Sequence, residues 1–245
     1  MSKKSEQSYV RRLERRKRAI SRIFLFLSLV VLVLLAALFI GATLSGETGA
    51  VSVATAAVLY IIGDKFLGLS DRFSNAAKWA SKGAKAEEDV AAILSGFRTE
   101  DYFVLNDIRS PTGNVDHLVI ARNGGVYIIE TKSQTGTVDV QGDELLLNGE
   151  IMLGDPILQT LRNAMWLKDK VGEIFGDKPY VTAILLFTNA YVNARKPVRN
   201  VMISRPQFLH RVLNSSGSTK LGARIWANRK ALEQAIAPLQ EDMAA

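Results

Sequence analysis

Hydrophobic and polar positions divide the chain into two parts with different patterns. Residues 23–44 form an apolar run without a charged side chain, and a shorter apolar run follows at residues 48–63. After about residue 70, short apolar runs alternate with amphipathic stretches and with turn signals rich in Gly, Pro and Asn. The pattern predicts a membrane-embedded N-terminal part followed by a mixed α/β domain of roughly 170 residues.

The first apolar run is long enough to cross a bilayer, which takes about 20 residues in a helix. A buried core helix or a cleaved signal peptide fits it less well, because the run is apolar on every face and no small-residue cleavage site follows it. The second run is shorter and rich in Ala, so it either spans the membrane or lies at its interface. We expect one or two transmembrane helices, at about residues 23–44 and 48–63.

Charge is concentrated ahead of these runs. Residues 1–22 carry nine basic and two acidic side chains, which accounts for the whole formal net charge of +7. The rest of the chain is neutral overall, so the charge alone does not argue for nucleic-acid binding there. The positive-inside rule keeps the arm in the cytoplasm, and a hairpin of two spans returns the chain to it. We therefore expect the inner (cytoplasmic) membrane as the location, the lipid bilayer as a partner, and both the N-terminus and the soluble domain on the cytoplasmic side.

The predicted organisation has five segments: a basic arm at 1–22, a membrane anchor at 23–64, a linker or helix at 65–82, an α/β domain at 83–213, and a loop with a C-terminal helix at 214–245. Helices are predicted at 84–94, 156–175, 206–213 and 222–239, and strands at 102–108, 137–140, 144–147, 180–188 and 201–203, besides the two strands of a central hairpin. Asp155 and Ser204 are predicted helix caps, and residues 214–219 a flexible loop. The absence of Cys excludes a disulfide framework and Cys-ligated metal sites.

The central hairpin is the stretch GNVDHLVIARNGGVYIIETK, two apolar strands around an Asn-Gly turn. It carries Asp116 on its first strand and Glu130 and Lys132 at the end of its second. A two-residue turn would put the two carboxylates on opposite faces, whereas a three-residue loop at Arg122–Gly124 pairs Asp116 with Glu130 on one face. We predict the three-residue loop, with Gly124 in the left-handed region; a bulge near Asp116 would have the same effect.

Two carboxylates at that distance repel each other unless a cation lies between them. Oxygen ligands with little else favour Mg²⁺ or Mn²⁺. A neighbouring ammonium would orient a water or stabilise a phosphoryl oxygen, as in metal-assisted hydrolysis. The spacing fits a salt-bridge cluster of Asp116, Lys132 and Glu130 equally well, so both interpretations stay open at this point.

The order of Asp, a hairpin and Glu-x-Lys resembles the PD-(D/E)XK nuclease superfamily. More specifically, about residues 82–190 resemble the nuclease-related domain family, NERD. The resemblance is carried by the helix GAKAEEDVAAIL, by the block NVDHLVIARNGGVYIIETKSQTG, and by DPILQTLRN with Pro156 and Gln159. It implies a restriction-endonuclease-like fold, with a mixed central sheet flanked by helices. It also implies Mg²⁺-dependent hydrolysis of phosphodiester bonds, with nucleic acid, DNA in particular, as the partner.

The resemblance also implies a role for each site residue. The implied metal ligands are Asp116, Glu130, the backbone carbonyl of Thr131, and Glu87 directly or through water. Lys132 would position the attacking water or neutralise charge, and Gln159 would reach the site from its helix. An ordinary exposed acid is the alternative for Glu87, and a polar residue at a helix–sheet contact is the alternative for Gln159.

Other polar residues are assigned to structure. His117 falls on the other face of its strand from Asp116, which predicts either a packed histidine or one that supports the site from behind the metal ligands. His210 in PQFLHRVL is expected to be structural. A basic loop at residues 195–199 is expected to be a solvated charge run. The rival function is a catalytically inactive scaffold of the same fold, tethered to the membrane and holding nucleic acid or a protein.

Overall fold

The computed structural model describes residues 19–20, 22–23, 25–27, 29–38, 40–41, 50–97, 99–111, 113–214 and 220–241. Two compact units divide the chain, with the boundary between Lys82 and Gly83. Every described residue of the first unit is helical. From residue 50 onward these residues belong to helix α1, Ala50–Ser95, which continues into the second unit.

Helix α1 differs from the elements that the sequence predicts. A second span ending near residue 63 and a separate helix at 84–94 are expected, but α1 is continuous across both. As a helix, its apolar part before residue 64 is about 20 Å long, whereas the hydrocarbon core of a bilayer is about 30 Å thick. Among the helices formed by the described residues, none is both long enough and apolar enough to cross a bilayer. These helices therefore do not support the spans at 23–44 and 48–63. Parts of both spans, and most of the basic arm at 1–22, lie outside the described residues.

The second unit contains a seven-stranded mixed sheet. Its strands are β1 (Tyr102–Ser110), β2 (Gly113–Ala121), β3 (Val126–Gln141), β4 (Glu144–Leu147), β5 (Glu150–Ile151), β6 (Val181–Val192) and β7 (Val201–Ser204). Strands β1 to β5 pair in chain order and antiparallel. Strand β6 pairs with β3, and β7 pairs with β6, both in parallel. The predicted mixed α/β architecture is confirmed.

Helices cover both faces of this sheet. They are α2 (Pro156–Phe175), α3 (Leu209–Leu213), α4 (Lys220–Ala227) and α5 (Arg229–Glu241), besides the end of α1. Adjacent residues of a strand point to opposite faces. Ile128 accordingly lies in one buried cluster with Leu167 of α2 and Ile225 of α4. Ile129 lies in the other cluster, with Leu94 of α1 and Leu213 of α3. The site strand β3 is therefore held between two apolar layers.

The hairpin of β2 and β3 has the predicted register. His117 pairs with Ile129 and Ile120 with Val126, which places Asp116 opposite Glu130. The loop between the strands is Arg122–Gly124, closed by the bond from the Ala121 amide to the Gly125 carbonyl at 2.8 Å. Gly124 has a φ of 91°, as the three-residue loop requires. This register brings both carboxylates to the same end of the hairpin.

One of the two predicted helix caps is present in the structure. Helix α2 begins directly after Asp155, which accepts a hydrogen bond from the Leu158 amide at 3.0 Å, and this cap is confirmed. The predicted cap at Ser204 is wrong, because Ser204 is the last residue of β7 and is buried in the sheet. The predicted loop at 214–219 lies outside the described residues except for its first residue.

The C-terminal region forms two helices instead of one. The predicted helix at 222–239 is divided at Asn228 into α4 and α5. Ile225, Leu232 and Ile236 are fully buried in the cluster that also contains strand residues. Residues 220–241 therefore belong to the same compact unit as the sheet.

A contact between two glycines joins α4 to the hairpin loop, and it yields a prediction on stability. A Cβ on Gly222 would lie 2.1 Å from the carbonyl oxygen of Gly124, which is backbone and has little room to move. We expect Gly222→Ala to lower the free energy of unfolding by about 2 kcal/mol. Gly83→Ala is the matched control, because a Cβ on this helical glycine meets nothing within 4 Å.

The control change is expected to raise the free energy of unfolding by about 0.5–1 kcal/mol. Urea denaturation of the full chain measures both values. Equal effects of the two substitutions would show that α4 does not approach the hairpin as closely as described.

Candidate active site

The site lies where β2 separates from β3. Ile129 pairs with His117 of β2 and also with Ile184 of β6, so β2 and β6 occupy opposite edges of β3. Val138 pairs in the same way with Leu147 of β4 and with β6. Strands β2 and β4 therefore share one edge of β3. Residues 130–137 lie between their two ladders, and we call them, with residues 113–116 of β2, the fork.

Asp116 stands at the opening of the fork and is half-buried. Its Oδ2 accepts a hydrogen bond from the Thr131 amide at 2.6 Å, so the carboxylate reaches across to β3 where the strands part. Burial raises the pKa of Asp116 well above its ordinary value, and the charges of Glu130 and Glu87 raise it further. The Thr131 amide and the Lys132 ammonium act in the opposite direction. The carboxyl group therefore lies among negative charges in a poorly hydrated position.

Glu130, Lys132 and Gln159 form a connected cluster beside Asp116. The Lys132 ammonium donates to Glu130 Oε1 at 2.9 Å and to Gln159 Oε1 at 3.1 Å. The amide nitrogen of Gln159 donates to the same Glu130 oxygen at 2.8 Å. Glu130 is only 4% exposed, and its second oxygen, Oε2, is buried without a hydrogen-bond partner. One carboxylate oxygen is thus held by two donors, and the other has none.

The fork brings together most of the residues that the sequence singles out. Asp116, Glu130, Lys132 and Gln159 meet there, and α2 supplies Gln159 from one turn inside its N-terminus. Glu87, half-buried on α1, is near enough for its charge to act on Asp116. The Lys132–Glu130 contact is also one half of the salt-bridge cluster that the spacing allowed.

His117 lies on the other face of β2, as predicted, and is 2% exposed. Its Nδ1 is 2.8 Å from Asn106 Oδ1, which makes Nδ1 the protonated nitrogen of a neutral ring. Nε2 is buried and has no hydrogen-bond partner. Burial lowers the pKa of His117 from 6.5 to about 4. His117 is therefore neutral in the folded protein and takes no direct part in the fork.

This depressed pKa predicts how stability depends on pH. Between pH 6.5 and about 4 the unfolded chain binds a proton on His117 that the folded chain does not. The contribution to stability is full above pH 6.5 and is lost as the pH falls, by about 3 kcal/mol across the window. Urea denaturation of wild type and His117→Gln at several pH values measures the difference. Equal pH dependence in both proteins would contradict the assignment.

Sequence reasoning missed a buried polar network behind the fork. Asn163 of α2 is fully buried, accepts a hydrogen bond from the Ser110 hydroxyl at 2.8 Å, and donates to the Asn114 carbonyl at 2.8 Å. An Asn within an amphipathic helix gives no sign of such contacts. Asp155, the cap of α2, also forms an ion pair with Arg199, which the sequence had placed in a solvated loop.

A separate cavity lies far from this cluster, at the turn end of the hairpin. Its volume is about 440 Å³. It is lined by Asp101, Tyr102, Ala121, Arg122, Asn123, His210 and Asn214. None of the predicted site residues is among them, so the candidate chemistry rests on the fork and not on this cavity.

The sequence that contains the fork matches one protein-family model. Residues 82–188 match the model of NERD, the nuclease-related domain. The same comparisons found no matching curated protein and no matching solved structure. The matched segment includes all the site residues from Glu87 to Gln159 and ends within β6. Strand β7 and helices α3 to α5 lie beyond it, although they pack in the same unit. The match indicates a nuclease-related function and, in general, nucleic acid as the partner.

Proposed function

We propose that the chain is a nuclease that hydrolyses phosphodiester bonds of DNA with Mg²⁺ or Mn²⁺ on a restriction-endonuclease-like fold. The observation that carries the proposal is the unpartnered oxygen of the buried Glu130 beside Asp116. A buried carboxylate oxygen without a partner is unfavourable, and its most direct remedy is a cation or a water. The match of residues 82–188 to a nuclease-related domain supports the same reading.

The residues of the fork fit a hard divalent cation. Asp116 and Glu130 would hold it, with the main-chain carbonyl of Thr131 and water as further oxygen ligands. Within the described ranges, no three Asp, Glu or His side chains are arranged as a metal cluster. Glu87 would therefore act through a water. A bound cation would supply Lewis-acid activation of the phosphate and a more acidic water.

Lys132 and Gln159 would prepare the site for a phosphodiester. The ammonium of Lys132 is only partly buried, with 19% of its side chain exposed, so it would contact a phosphoryl oxygen or orient the attacking water. Gln159 bonds both Lys132 and Glu130 and would keep the two side chains in this arrangement. The positive charge would be most useful where negative charge builds up on the phosphate.

We further propose that the protein is anchored in the inner membrane with its N-terminus and nuclease domain in the cytoplasm. The support is the sequence: an apolar run at 23–44 follows a basic arm at 1–22. In this arrangement the lipid bilayer is a partner, and DNA processing would take place close to the membrane surface.

A scaffold of the same fold is the second candidate. The ion pair between Lys132 and Glu130 favours it, because the ammonium compensates the buried carboxylate charge without a bound metal ion. The part of the chain after the basic arm is electrically neutral, which gives a weaker attraction to nucleic acid than a basic face would. Such a scaffold would hold nucleic acid or a protein without cutting.

The test is cleavage by the full chain, purified in detergent, of single- and double-stranded DNA and of RNA, with Mg²⁺, Mn²⁺ or a chelator. Asp139→Ala is the matched control for Asp116→Ala, because Asp139 is also a half-buried acid, on β3 but outside the fork, and bonds Asn193 at 2.6 Å. Cation-dependent cutting of DNA that is lost only in Asp116→Ala supports the nuclease. Binding of nucleic acid by the wild type without any cleavage supports the scaffold. Cleavage of RNA alone would show that the substrate is RNA and not DNA.

A further inference from the structure

Helix α2 contacts both strands of the fork, β2 and β3. Gln159 bonds Glu130 and Lys132 on β3, while Asn163 bonds the main-chain carbonyl of Asn114 on β2. These two α2 residues are four positions apart, so they lie one above the other on the same side of the helix. Asn114 precedes Asp116 by only two residues. A single rigid element therefore contacts the strand of each carboxylate.

Asn163 is built to hold one orientation. It is completely buried, and both ends of its amide are used: Oδ1 accepts from the Ser110 hydroxyl and Nδ2 donates to Asn114. Because the Asn114 carbonyl can only accept, it fixes the amide nitrogen of Asn163 toward β2, and Ser110 of β1 bonds the other end. A buried amide bonded at both ends holds its surroundings in place, since movement leaves a polar group without a partner.

We infer that Asn163 is a positioning residue that sets where Asp116 stands relative to Glu130. At the start of β2, residues 113–115 pair with β1 and no longer with β3, so the ladder to β3 does not fix the separation of the carboxylates. The Asn163–Asn114 bond holds this end of β2 from the helix, beside the direct bond from the Thr131 amide to Asp116. The inference rests on the proposed function for its chemical meaning, because it identifies the residue that spaces the two metal-binding carboxylates.

The test compares Asn163→Leu, Ser110→Ala and Thr160→Val in the full chain. Thr160 is the matched control: it is fully buried on the same helix, but its hydroxyl bonds the Pro156 carbonyl of α2 at 2.7 Å and no strand. The first readout is hydrogen exchange at the Thr131 amide, which bonds Asp116 and needs no cation to be measured. We expect exchange roughly tenfold faster in Asn163→Leu, a smaller increase in Ser110→Ala, and none in Thr160→Val.

The second readout is the affinity for Mn²⁺ measured by calorimetry. We expect it to fall about tenfold in Asn163→Leu and to stay unchanged in Thr160→Val. If the Thr131 amide exchanges at the wild-type rate in both Asn163→Leu and Ser110→Ala, the inference is overturned. This holds even if the wild type binds Mn²⁺ and cuts DNA. If Asn163→Leu does not fold, the smaller Asn163→Ala decides, because Ser110 also bonds the Gly113 carbonyl of β2 directly. Absence of Mn²⁺ binding in the wild type would remove the proposed function, and the Thr131 exchange would still decide whether Asn163 positions Asp116.

Discussion

Lys132→Met is expected to reduce cation-dependent DNA cleavage about a thousandfold. Lys132 carries the ammonium that faces both Glu130 and Gln159, and Met keeps most of the length of the side chain without the charge. Loss of a charge that stabilises the transition state lowers kcat more than it raises KM. Steady-state cleavage of a fluorescent DNA substrate by the full chain measures both constants.

A loss of activity in this variant needs to be separated from a loss of stability. Glu130 is buried, and removing its ion-pair partner destabilises the folded state by about 3 kcal/mol. The double variant Glu130→Gln/Lys132→Met removes both charges and is expected to regain the wild-type melting temperature without regaining activity. Lys132→Met with wild-type kcat would show that the ammonium has no chemical role.

Asp116→Asn is expected to raise the melting temperature of the metal-free protein by several degrees at neutral pH, while abolishing cleavage. The pKa of Asp116 is raised by burial and by the charges of Glu130 and Glu87. A carboxyl group whose pKa is raised by folding stabilises the folded state below its ordinary value of 3.8, and that stability is lost as the pH rises. An amide has no charge to bury and can still accept the Thr131 hydrogen bond.

Thermal unfolding in chelator, from pH 3 to pH 8, measures this effect. The two proteins should converge below about pH 4, where the aspartate is protonated in both states. Added Mg²⁺ should stabilise the wild type and leave Asp116→Asn unchanged, because binding to the folded state alone raises its stability. A variant less stable than the wild type at neutral pH, or equally stabilised by Mg²⁺, would contradict the electrostatic account of the fork.

The central hairpin shows what local sequence is able to specify. The choice between two registers depended on whether the loop holds two residues or three, and the three-residue loop, with Gly124 at a positive φ, is the one that pairs Asp116 with Glu130. Because side chains alternate along a strand, this one choice put Asp116 and Glu130 on one face. Asp155 and Pro156 likewise specified the start of α2, through the cap and the first-turn proline.

Other features depend on contacts that no local pattern contains. Residues 133–136 read as a break between two short strands, yet β3 continues through them with a register shift, because β6 supplies a partner strand on both sides. Helix α1 runs through Gly63 and Gly83, where the sequence suggested ends. Glycine weakens a helix by only about 1 kcal/mol, so favourable neighbours outweigh it.

The network of Asn163 could not be predicted for the same reason. Its two partners come from β1 and β2, some fifty residues earlier in the chain, and only the packed fold brings them together. The meeting of Asp116 and Glu130 could be predicted because the register of a hairpin depends on the length of its loop, which is a local property. The hydrogen bonds of Asn163 behind the fork could not be predicted, because they depend on tertiary packing.

The central claim is that the fork binds a divalent cation through Asp116 and Glu130. Calorimetric titration of Mn²⁺ into the metal-free full chain at neutral pH tests it most directly, beside Asp116→Asn and the control Asp139→Ala. We expect one site in the wild type and in Asp139→Ala, and none in Asp116→Asn. Absence of binding in the wild type, or equal binding in Asp116→Asn, would mean that Lys132 and Glu130 form a structural ion pair and that the fork is not a metal site.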